Sequence, residues 1–137
     1  MNRLLNYRPW GLDGAALLLR LIFGGLFIHH GWQKIEAYNA ILPRFPDLIH
    51  IGAKLSFNLV IFAEFFCGIL VTIGLLTRLA VIPILIAMIV VYFKALATAA
   101  FEMKELPLVY MVLSLVIFLL GPGKYSVDRL LTRNKRY

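Results

Sequence analysis

The chain has 137 residues, 61% hydrophobic and 15% charged, and 14 Lys and Arg against 7 Asp and Glu give a formal net charge of +7. Such a composition cannot cover a globular surface with polar groups, which excludes a soluble domain and makes lipid the surrounding medium. Nucleic acid is excluded as a partner too, because the basic residues flank apolar runs instead of gathering on one face among exposed aromatics.

A span is expected wherever an apolar run approaches about 20 residues, enough at about 1.5 Å per residue to cross roughly 30 Å of hydrocarbon. The first such run predicts a helix over 13–33 and contains Arg20, His29 and His30. Arg3 and Arg8 before it resemble the basic start of a signal peptide. The run is too long for one, however, it carries Arg20, and no A-x-A site follows closely, so it is expected to remain in the mature protein. On a helical wheel Arg20, Gly24, Phe27, Gly31 and Lys34 share a face, His30 lies about 80° from Arg20, and His29 points almost opposite.

The link over 35–54, "IEAYNAILPRFPDLIHIGAK", is interrupted by Pro43 and Pro46 yet is too apolar to float in water. It is expected to lie on the outer mouth of the bundle, where it can act as a lid. The second span, 55–77, holds Glu64 as its only charge and the single cysteine, Cys67, so neither a disulfide framework nor a C-x-x-C redox pair exists. Glu64, Gly68, Val71 and Leu75 share a face, and glycines on both helices predict close approach of spans one and two.

Span three, 79–101, carries Lys94 alone, and span four, 105–121, is uncharged between Glu105 and Lys124, with Pro107 placed in its first turn. Gly121-Pro122-Gly123 ends it, and the tail over 124–137 reads as a basic amphipathic anchor. There Ser126 or Asp128 serves as a cap, Val127, Leu130 and Leu131 face lipid, and Arg129 and Arg133 face phosphates. With four spans, Arg3, Arg8, Arg78, Lys124, Arg129, Arg133, Lys135 and Arg136 fall on one side, against Lys34, Arg44, Lys54 and Lys104 on the other. The positive-inside rule then puts both termini in the cytoplasm. The expectation is an all-α polytopic membrane four-helix bundle in a single domain over 1–137, multi-pass in the cell membrane, and in the cytoplasmic membrane of a bacterium.

A lone charge at mid-bilayer costs at least about 2.5 to 3.5 kcal/mol, so Glu64 needs a partner. Placed by span centres, Arg20 and Glu64 differ in depth by about 8 Å, within reach of a guanidinium stem, and are expected to pair. Glu64 then becomes the negative centre of an inward cluster with Arg20 below it, His30 and Lys94 above, and Glu102 and Glu105 on the outer rim. A metal or haem is not expected, since adjacent His29 and His30 diverge by about 100° and His50 lies in the link.

Arg20, Gly24, Phe27, His30, Gly31 and Lys34, as R-x-x-x-G-x-x-F-x-x-H-G-x-x-K, resemble the first helix of the DoxX family of small membrane proteins. So do Glu64, Gly68, Leu70, Gly74, Leu75, Thr77 and Arg78 in the second, and Glu105 with Gly121-Pro122-Gly123-Lys124-x-Ser126-x-Asp128 around the fourth. The resemblance implies a four-helix bundle and an association with quinone-linked oxidoreduction or with assembly of membrane redox complexes.

Two readings follow. In the first the chain is a quinone-interacting subunit of a membrane oxidoreductase system. Glu64 and His30 are then its catalytic groups and Arg20, Lys94, Glu105 and Lys34 its ligand-binding groups, with quinone or another lipid-like molecule as ligand and the second redox centre on a partner protein. The second reading is a non-enzymatic scaffold, chaperone or assembly subunit in which the Arg20 and Glu64 pair is only a latch. Either kind of subunit can also be a homo-oligomer. A proton-coupled carrier is disfavoured by four short spans without an internal repeat.

Overall fold

The computed structural model describes residues 7–133, and among them every regular element is helical. Arg3, Lys135 and Arg136 of the flanking charges lie outside the described residues, as does the tail beyond residue 133. Four helices are long and apolar enough to cross a membrane: α1 (Leu12–Glu36), α3 (Ala53–Ile73), α4 (Thr77–Ala95) and α5 (Phe101–Leu120). Among the described residues two short α-helices complete the fold, α2 (Tyr38–Ile41) in the long link, followed by a 3-10 turn (Leu42–Arg44), and α6 (Val127–Arg133) after the last span. The start of α1, the turn between α3 and α4, and α6 share one end of the bundle, the terminal end; α2 lies at the other, the loop end.

The helices stop where the backbone, and not the charge pattern, tells them to. α3 closes on Gly74, whose left-handed φ of 76° lets its own N–H reach Val71 O and the N–H of Leu75 reach Leu70 O at 2.9 Å. The third span therefore begins at Thr77, and it winds out through a π turn, Val91–Ala95, before a short turn leads to Phe101. The expected limits over 79–101 and 105–121 thus shift: span three ends about two turns earlier, and span four starts a turn earlier. Glu102, Lys104 and Glu105 interrupt the apolar pattern between the two spans, but acidic residues suit the positive end of a helix and all three belong to the start of α5. Pro107 accordingly sits beyond the first turn.

Packing is tightest between α1 and α3. A Cβ added at Gly31 would lie 2.6 Å from both Cβ and N of Phe65, and one at Gly68 would lie 3.2 Å from the backbone N of Ile28. Only glycine permits that approach, as the helical spacing predicted. One contiguous core joins Phe23 and Phe27 of α1, Cys67 and Val71 of α3, Val81, Ile84 and Met88 of α4, and Tyr110 and Ile117 of α5. Outward, Leu18, Ile22, Leu79, Ile86, Leu115 and Leu119 are exposed, a girdle of apolar surface that water would not tolerate and lipid covers. The membrane four-helix bundle expected from the sequence stands.

The link over 37–52 is tied to the loop end. Tyr38 donates to Asn58 Oδ1 at 2.8 Å, and the rings of Tyr38 and Phe45 lie 5.2 and 4.8 Å from that of the fully buried Phe57. Asp47 closes its last turn by accepting from the N–H groups of Ile51 and Gly52 and from the Ser56 hydroxyl.

Candidate functional site

Two separate polar centres occupy the bundle, at different depths. Their separation follows from helix register and from side-chain lean. Gly31 abuts Phe65, and Gly24 abuts Gly68 and Thr72, so the antiparallel register sets Arg20 opposite about residue 76, some 18 Å along the axis from Glu64. Helical side chains also lean toward their own N-terminus. Arg20 on α1 therefore leans to the terminal end, while Glu64 on the oppositely directed α3 leans to the loop end.

The expected pair of Arg20 and Glu64 consequently does not form, although both residues are buried, at 1% and 5% exposure. The Arg20 guanidinium donates to the carbonyls of Val71, Thr72 and Tyr125, which satisfies the C-terminal carbonyls of α3. Its Nε alone has no partner. Arg20 is thus a clasp between α1, the end of α3 and the segment entering α6.

Glu64 instead meets Lys34, whose Nζ donates to its Oε2 at 2.6 Å. Lys34 lies one turn beyond Gly31, leans back into the bundle and finds the carboxylate leaning toward it. A π turn, Phe62–Phe66, carries Glu64 and sets its position in α3. Such turns are rare and concentrate at functional sites. The carboxylate is sealed from solvent while the side chain of Lys34 is 27% exposed, so the pair faces the loop end through its ammonium.

Two further groups converge on this pair. The His30 ring is half-buried, 6.4 Å from Phe27 and 6.3 Å from Tyr110, and Tyr110 packs at 4.8 Å against Phe27. Both residues are close enough to Glu64 to feel its charge. Among the described residues neither the ring nitrogens of His30 nor the hydroxyl of Tyr110 makes a hydrogen bond; beyond these ring contacts, His30 lies 6.1 Å from the His29 ring, Tyr110 lies 6.2 Å from the Phe23 ring, and the Tyr110 carbonyl accepts from the Ser114 hydroxyl. A half-buried donor without an acceptor, set beside a carboxylate and an ammonium, is an unspent binding capacity.

Lys34, Glu64 and His30 are brought together; the other expected members of the cluster are not. Lys94 is exposed at the end of α4, on a π turn, and among the described residues it has no hydrogen bond or ion pair. Glu105 is exposed on α5, because it lies about 140° round the helix from the buried face of Tyr110, Ser114 and Ile117, and Glu102 is exposed as well. His29 points outward as the wheel requires. Tyr110 was not singled out from sequence, although a tyrosine one turn before Ser114 in an otherwise apolar span was a readable signal. Among the described residues no three of His, Cys, Asp and Glu are arranged to hold a metal ion.

A family model described as DoxX matches residues 15–97, which spans α1 through α4. An uncharacterized membrane protein of Mycobacterium tuberculosis is 32% identical over 134 residues, covering 87% of this chain and 82% of its own length. An uncharacterized protein of Haemophilus influenzae is 27% identical over 131 residues, covering 90% and 87% respectively. No solved structure matches the chain.

Proposed function

Because the chain belongs to the DoxX family and its four apolar helices make it a membrane protein, we propose that it is a quinone-binding subunit of a membrane oxidoreductase system. The observation that carries this reading is the meeting of spare donors on His30 and Tyr110 with the Lys34 and Glu64 ion pair. A quinone headgroup offers carbonyl oxygens that accept hydrogen bonds, and it supplies chemistry in which two electrons and two protons travel together.

The roles of the chain's own residues follow from their chemistry. Tyr110 and His30 donate to a carbonyl oxygen and orient it; Phe27 provides an apolar wall. Glu64 exchanges a proton with the same oxygen, and Lys34 balances its charge and leads toward the loop end, where protons can come and go. The electrons come from a partner protein with its own redox centre. We place the terminal end, with Arg78, Lys124, Arg129 and Arg133, in the cytoplasm of a cell membrane, so that the site lies in the outer half of the bilayer.

One observation favours the second reading, a scaffold or assembly subunit: Lys34 neutralises Glu64 from within the chain, as a structural latch would. Extraction and identification of quinones retained by the purified protein separates the two. Wild type retains quinone, Tyr110→Phe loses about two- to tenfold in affinity for one missing hydrogen bond, and His30→Ala and Glu64→Gln lose it further while remaining inserted. Equal retention in all four proteins, or none in wild type, overturns the quinone assignment; failure of partner assembly with quinone retention unchanged supports the scaffold.

A further inference from the structure

We propose that α6 and the adjoining start of α4 form a docking surface for anionic phospholipid, built as a rigid part of the bundle. A seven-residue helix is too short to persist alone in water. Here it is pinned from several directions. Asp128 donates its N–H to Gly74 O at 2.9 Å, and its carboxylate accepts from Leu76 N at 2.8 Å, Thr77 N at 3.1 Å and the Thr77 hydroxyl at 3.2 Å. Lys124 N donates to Asp13 at 2.9 Å, the Arg20 guanidinium holds the Tyr125 carbonyl, and Ser126 Oγ accepts from Arg129 N to cap the helix.

This fastening holds the backbone and leaves the side chains outward. Leu130 and Leu131 are 62% and 54% exposed, and Tyr125 is exposed beside them. Arg129 and Arg133, four residues apart, share a side of α6. Arg78 follows Thr77 and Arg129 follows Asp128, so these two cations flank the same hydrogen-bonded junction. Arg78 is held there by one bond from Nε to Phe118 O at 3.0 Å, which leaves its terminal nitrogens free. Lys124 adds a fourth charge.

Charge complementarity names the occupant. Asp13 and Asp128, the carboxylates at this end, are spent on backbone N–H groups, and none of the four cations is in an ion pair among the described residues. Phosphodiesters answer the cations, and acyl chains answer the leucines between them, at the level where the apolar girdle of the bundle ends. An acidic soluble protein would match the charges but not the leucines.

The test is native mass spectrometry of the full chain released from bilayers of equal phosphatidylglycerol and phosphatidylcholine. Wild type emerges enriched in phosphatidylglycerol. Arg129→Gln and Arg133→Gln lower that preference by about fivefold for each charge removed, while Lys54→Gln at the loop end leaves it unchanged. Raising the salt on wild type toward the range where exposed charges are screened gives the same loss without any substitution. An unaltered lipid ratio in the double variant, or an equal fall in Lys54→Gln, overturns the proposal. So does binding of soluble polyglutamate without phosphatidylglycerol enrichment, which assigns the face to an acidic protein.

Discussion

Replacing Lys34 with Met removes the counter-ion of Glu64 and keeps the length of the side chain. The carboxylate left behind is 7% exposed on a membrane-spanning helix, with His30 and Tyr110 near enough to feel its charge and no other ion pair to it among the described residues. Removing one partner of a buried pair costs about 3 to 5 kcal/mol. Lys34 is partly solvated, which puts the expected loss near the lower figure, about 3 kcal/mol and roughly a hundredfold in the folded fraction. Adding Glu64→Gln to Lys34→Met removes the stranded charge, and replacement of a whole pair is often close to neutral. The double variant should therefore recover to within about 1 kcal/mol of wild type, giving a coupling of about 2 kcal/mol or more in the cycle. Equilibrium unfolding in mixed micelles measures it, with Lys54→Met as a solvated control. Additive losses, with Lys34→Met no worse than Lys54→Met, would show that the carboxylate needs no counter-ion and would refute the reasoning.

Gly31→Ala places a methyl 2.6 Å from the Phe65 backbone, which cannot yield, so α1 and α3 must separate at a cost of about 1 to 3 kcal/mol. Trp32, 6.1 Å from the Phe65 ring, should report the shift in its emission, and Gly25→Ala, with nothing within 4 Å, should be silent. Asp128→Ala uncaps α4 and unfastens α6 together, a loss of about 1 to 2 kcal/mol, visible as faster tryptic cleavage after Arg129, while Asp128→Asn keeps part of the protection. The Gly52 N–H, followed by that of Ile51, holds the Asp47 carboxyl below its ordinary range. A depressed folded value means that this stabilisation is complete above the unfolded pKa and is lost as pH falls through the folded one. Amide exchange at Ile51 and Gly52, corrected for its intrinsic pH dependence, should accelerate on acidification, and Asp47→Asn should flatten that response.

The sequence made the medium, the number of spans and the glycine contact between α1 and α3 legible, because each rests on length, composition or a single helix period. It did not make the partner of Glu64 legible. Depth was judged from span centres, and centres slip when a helix ends on a glycine turn, as α3 does at Gly74, instead of at a charge. The lean of each side chain then decides between two cations on the same face of α1. Arg20 leans away from Glu64 and Lys34 leans toward it, and that difference was available from helix direction alone. Tyr110 was legible as an inward polar residue from its spacing to Ser114, but its place beside Glu64 and the capping of α4 by Asp128 depend on contacts between helices distant in sequence, which no single-helix periodicity encodes.

The two polar centres make unequal demands on the fold. At the terminal end the donors of Arg20, apart from Nε, and the acceptors of Asp128 are spent on backbone groups, so substitution there should cost stability first. In the other half of the bundle, the ion pair leaves two ring nitrogens and a phenol without partners in a bundle with little core to spare. Folding gains nothing from leaving those groups unpaired, since an apolar residue of similar shape at either position would avoid the desolvation they incur. Tyr110→Phe should therefore hold or raise stability while it lowers affinity for a carbonyl ligand, an opposition that a latch does not produce. If thermal unfolding of Tyr110→Phe fell in step with its quinone retention, the phenol would be a structural group and the assignment of this half of the bundle to chemistry would fail.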